Sequence, residues 1–181
     1  MKVLSLLLIF AGAMFLPEVK AQALSEPRQS PMGISRILVD DTYIKITYGR
    51  PYVREREIFG GLVPFGSVWR TGANEATEIT VTRDVIMDGN HLEAGTYSIF
   101  TIPEEDEWTV IVNSGLGQWG QYSYDSELDV FRFTRPTYRP ESHVELFTIS
   151  TTEHEGDGDQ DVDLYMRWDH TEIHIPIKLV E

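Results

Sequence analysis

Apolar side chains recur at every second position along much of this chain, and that period constrains the fold more than any other feature. Ile44, Ile46 and Tyr48 alternate with Tyr43, Lys45 and Thr47; Ile79 and Val81 alternate with Thr80 and Thr82. Ile173, Ile175 and Ile177 alternate with His174 and Pro176. A period of two puts successive side chains on opposite faces of an extended strand, so each segment offers one face to a core and one to water. Residues 108–112, 130–133, 144–150 and 162–168 complete a set of about nine strands. Asp40-Asp41, Asp88-Gly89 and residues 104–106 fall between strand-like runs and read as hairpin turns. No window of helical length carries an apolar stripe free of Gly and Pro. The expectation is an all-β chain, an antiparallel β-sandwich or jelly roll, with a barrel as the closed alternative.

The N-terminus has the pattern of an export signal. Lys2 supplies a positive start, residues 3–16 are almost wholly apolar, and Ala21-Gln22-Ala23 is a small-x-small site for cleavage after Ala23. The apolar run falls short of the roughly 20 residues that a spanning helix needs, which favours cleavage over a retained anchor. The expected organisation is a signal peptide over 1–23, a loose polar leader over 24–33, and one domain over 34–181. The protein is then periplasmic or secreted, with no membrane insertion after cleavage. The chain has no cysteine, so it is not expected to be a lipoprotein, and thiol catalysis, disulfides and thiolate metal sites are excluded. Without residues 1–23, 15 − 2 = 13 basic and 29 − 1 = 28 acidic residues remain, a formal charge of 13 − 28 = −15. A surface so charged repels phosphate backbones and anionic headgroups, which argues against nucleic acid and membrane-surface partners.

Residues 58–77, IFGGLVPFGSVWRTGANEAT, break the alternation. Gly60, Gly61, Pro64, Gly66 and Gly72 surround a Trp-Arg pair, and punctuation this dense makes a shaped loop. Its wording resembles an exported bacterial family catalogued as domain of unknown function 2911. The resemblance extends through GRP at 49–51, AGTYSIFTIP at 94–103, EWTVIVN at 107–113 and QWG at 118–120, and so covers most of the chain after Ser35. It implies an exported protein and brings no assigned activity.

Loops held by a rigid scaffold are where binding concentrates, and Arg70, Asn74 and Glu75 are the candidates in this one. Arg70 offers a planar fork for a carboxylate or phosphate, Asn74 a donor and an acceptor, and Glu75 a charge or base. The alternative is an internal Arg70–Glu75 salt bridge with Asn74 in a turn. A second long connection, residues 114–129, is rich in Gly, Tyr and Ser. There Trp119, beside Gln118 and Gln121, either stacks on a sugar-like or peptide ligand or tucks down as a plug for the core.

Other chemistry is less well marked. Asp157, Asp159 and Asp161 mimic calcium-loop spacing, but Val162 and Trp168 stand where an EF-hand needs Gly and Glu, so a solvated hairpin loop is expected over 153–163. His170, Glu172 and His174 share a strand face with neighbours roughly 7 Å apart, and no third ligand is placed, so no metal site is expected. Nucleophile-elbow, zinc-protease, phosphate-loop and dinucleotide motifs are absent, and no cofactor is expected. The resulting expectation is a non-catalytic binding module for a small polar or carbohydrate-like ligand, with Arg70, Asn74, Glu75 and Trp119 as its contacts and no catalytic residue. An envelope hydrolase using Glu75 as acid or base, or a purely structural envelope domain, are the alternatives.

Overall fold

The computed structural model describes residues 28–154 and 161–180. Two antiparallel sheets face each other. The first runs β1 (Met32–Val39), β2 (Thr42–Gly49), β3 (Thr77–Val81), β6 (Gly95–Pro103), β7 (Glu107–Asn113) and β8 (Asp129–Pro136), in that spatial order. The second runs β5 (Asn90–Leu92), β4 (Val85–Met87), β11 (Thr171–Leu179), β10 (Val162–Asp169) and β9 (Val144–Glu153). The alternating residues behave as their period requires: Ile44, Ile46, Ile79 and Val81 of one sheet, and Ile173, Ile175 and Ile177 of the other, are all buried in one core. Each such side chain contributes about 1.5–3 kcal/mol relative to exposure.

The result is an open all-β sandwich rather than a closed barrel. Where β1 and β2 approach β9, the sheets are joined by side chains. Tyr48 donates its hydroxyl to Ile149 O at 3.0 Å and accepts from Ile149 N at 2.9 Å, and Ser35 Oγ meets Thr151 Oγ1 at 3.1 Å. The expected turns at Asp40-Asp41, at Asp88-Gly89 and over 104–106 close the β1–β2, β4–β5 and β6–β7 hairpins. The strands that alternation missed have physical reasons. β4 and β5 are three residues each, too short to show a period. β1 carries apolar side chains on both faces, with Met32, Ile34 and Leu38 exposed. Residue 28 onward of the expected leader is tied to the domain, since Arg50 N donates to Pro31 O at 2.8 Å. Among the described residues no helix is long and apolar enough to cross a membrane.

Candidate functional site

The punctuated loop is built first as a lock. Trp69 pairs its backbone with Thr101 (2.7 and 2.9 Å) and turns its indole inward, stacked on Trp168 with centroids 5.8 Å apart. Phe59, Trp108 and Phe147 close around the same indole. Its Nε1 donates to Gly72 O at 3.1 Å. Gly72 and Gly49, from two of the motifs named above, touch through their backbones: a Cβ built on Gly49 would lie 1.8 Å from Ala73 O. Thr71 and Asn74 adopt positive φ of 54° and 66°, and Thr77 Oγ1 holds Thr71 O at 2.6 Å. The chain therefore turns sharply on both sides of Gly72. The second long connection is stitched to this turn, with Ala76 N donating to Gln118 O and Gly120 N to Asn74 O, both at 2.9 Å.

With Trp69 directed into the core, Arg70 lines a cavity of about 460 Å³. Tyr52, Trp69 and Trp168 contribute aromatic surface to it, Pro51, Val63 and Val68 aliphatic surface, and Arg54, Arg56, Ser67 and Gln121 polar groups. Gln29 and Ser30 also border it. Arg70 makes one hydrogen bond, from Nη1 to Gln121 Oε1 at 3.3 Å, and its buried Nε has no acceptor among the described residues. Burial pushes the Arg70 pKa down, opposed by the Tyr122 phenol. Arg56 donates from Nε to Val53 O at 3.0 Å, and Arg54 from Nη2 to Gln29 O at 3.5 Å. The turn that presents them is itself unusual, because Arg54 and Glu55 both have positive φ, 52° and 56°. Each such residue costs about 1–2 kcal/mol in a non-glycine backbone. Strain of this kind persists where the surroundings over-determine it, and it concentrates at ligand-contacting segments.

The four residues singled out from sequence do not converge. Arg70 lines the cavity, whereas Asn74 and Glu75 do not. Glu75 belongs to a separate hollow with Arg28, to which it is bonded at 2.7 Å. That hydrogen bond from Arg28 is what chiefly lowers the Glu75 pKa, against a smaller opposing effect of burial. The alternative Arg70–Glu75 salt bridge is absent. Asn74 does sit in a turn, with Nδ2 donating to Ser30 O at 3.3 Å. Trp119 pairs its backbone with Glu75 and leaves its side chain 60% exposed, so it is not a plug for the core. Tyr52, Arg54 and Arg56 are cavity residues that sequence reasoning passed over; Gln121, read beside Trp119 as a ligand-facing amide, lines the Arg70 cavity without it. In RERE at 54–57 each arginine is flanked by a glutamate and reads as self-neutralised, but Glu55 and Glu57 do not line the cavity.

The histidine row disperses to separate partners. His174 Nε2 meets Asp163 Oδ1 at 2.6 Å, Glu172 pairs with Arg167, and His170 lies against His143 with ring centroids 5.1 Å apart. Asp157 and Asp159 of the acidic run lie outside the described residues. Asp161 accepts from Leu179 N at 2.7 Å, and Asp163 is buried rather than solvated.

Comparison with known proteins adds a family and no activity. The model of the family described as "Protein of unknown function (DUF2911)" matches residues 30–177, in agreement with the resemblance read from the loop motifs. No curated protein and no solved structure matches the chain.

Proposed function

The chain belongs to the DUF2911 family, and from that premise we propose that it is an exported, non-catalytic binding module for a small polar or carbohydrate-like ligand seated in the Arg70 cavity. One observation carries this reading: a half-buried guanidinium with, among the described residues, a single long hydrogen bond and no carboxylate partner borders an open, partly aromatic hollow. Buried charges are ordinarily paired, because an unpaired one is costly to desolvate. Aromatic walls with a few fixed polar groups are the usual make-up of a small-ligand pocket. Arg70 and Gln121 would orient the ligand, and Tyr52 would pack on it.

The hydrolase alternative finds no support at Glu75. A general acid needs a raised pKa, and Arg28 lowers that of Glu75. A structural role for the family-marking loop is favoured by the Gly49–Ala73 contact and the Trp69 pairing, and it is compatible with binding. The loop locks the sandwich end and, by doing so, fixes Arg70.

A thermal-shift screen of neutral and charged sugars and amino acids tests the proposal. A ligand that binds only the folded state raises the melting temperature by mass action. Ser67→Trp would fill the cavity from an exposed lining position without disturbing the core. Hits should stabilise the native protein and lose that effect in Ser67→Trp. Hits unchanged by the blocking residue would place binding elsewhere and overturn the assignment.

A further inference from the structure

The lining of the Arg70 cavity departs from the charge balance of the rest of the protein. The chain holds 29 acidic and 15 basic residues, so a random hollow on its surface would be acidic. Among the described residues that line the Arg70 cavity there are three arginines and no Asp or Glu. The arginine–carboxylate pairs all lie elsewhere among the described residues, at Arg28, Arg83, Arg132, Arg135 and Arg167. Arg54, Arg56 and Arg70 donate instead to uncharged oxygens: Arg54 to Gln29 O, Arg56 to Val53 O and Tyr52 O, and Arg70 to the Gln121 amide.

We propose that this cavity selects anions: its ligand carries a carboxylate, sulfate or phosphate group held by Arg70 with Arg54 and Arg56, and a ring or chain that packs on Tyr52. The inference rests on the binding-module reading and deepens it. A guanidinium fork matches two oxygens of such a group with parallel, charge-assisted bonds. The positive potentials of three guanidinium groups around one open hollow add, most strongly at the half-buried Arg70, and an incoming anion supplies the countercharge that no described lining residue provides. The surrounding acidic surface repels anions at long range, so selection depends on contact inside the cavity. Neutral sugars gain the aromatic contact and leave the arginines unmatched.

Tryptophan fluorescence reads the cavity directly, because Trp69 and Trp168 border it. Glucuronate and glucose form a matched pair with and without the carboxylate; inorganic sulfate and phosphate test whether the oxyanion alone suffices. Glucuronate, or a sulfate or phosphate ion, should bind at least about tenfold more tightly than glucose. Arg70→Gln should remove that preference. Because Arg70 is half-buried, a second variant guards against misfolding: exposed Arg54→Asn, which suits the positive φ there, should weaken the anion by about tenfold while leaving the melting temperature unchanged. Glucose bound as tightly as glucuronate, with Arg54→Asn without effect, would overturn anion selection and leave the binding module standing. If no probe in either arm moves the fluorescence or the melting temperature, both readings fall.

Discussion

Gly49 shows how much of this protein is decided at single residues. Its hydrogen side chain lets β2 run against the Gly72–Ala73 backbone, and no larger residue fits where a Cβ would sit 1.8 Å from a carbonyl oxygen. Gly49→Ala must push the two segments apart, and with them the Trp69 pairing. The expected loss is roughly 3 kcal/mol or more, read as a lowered denaturation midpoint. Composition alone marked residues 58–77 as a shaped loop, and the motif around Gly49 was visible too. Their mutual contact was not, because it arises only when β2 and the loop are brought together. The same limit explains Arg70 and Glu75. Five residues apart in sequence, they were natural partners for a salt bridge. Positive φ at Thr71 and Asn74 turns the chain between them, and a threonine gives no sequence signal for that conformation.

At the scale of elements, the period-two pattern made the long strands legible and placed their core faces correctly. The end of the acidic run, read as part of a solvated hairpin loop, departs from that expectation at Asp163; residues 155–160 of the run lie outside the described residues. Asp163 sits in β10 opposite Pro176 and is only 7% exposed. Burial by itself would raise its pKa, but hydrogen bonds with His154 and His174 outweigh that and hold it below the ordinary carboxylate value. A depressed folded-state pKa contributes stability that is present above the unfolded value, near 3.9, and lost as pH falls through the folded one. Asp163→Asn should therefore lower the melting temperature at neutral pH, and its gap from the native protein should narrow below about pH 4. A gap that stays constant from neutral to strongly acidic pH would show that Asp163 does not tie β10 to its neighbours through its charge.

For the whole molecule, the sandwich supplies an end on which the β2–β3 loop and the long β7–β8 connection are fixed, and the cavity is lined from both. Sequence foresaw the fold class and, among its candidate contacts, Arg70 and Gln121, which line the cavity; it could not foresee that Arg54 and Arg56 would share the cavity without their neighbouring glutamates. The proposal of export predicts that protein recovered from its native host begins at Leu24, as intact mass would show; a retained Met1 in the membrane fraction would contradict it. The central claim is that Arg70 is held for a ligand and not for the scaffold, and urea denaturation of Arg70→Ala beside a binding titration with the best screening hit tests it most directly. Because no carboxylate partner among the described residues is left behind, the account predicts a stability change within about 1 kcal/mol together with loss of binding. A loss of roughly 3 kcal/mol or more with binding intact would contradict it and return Arg70 to the scaffold.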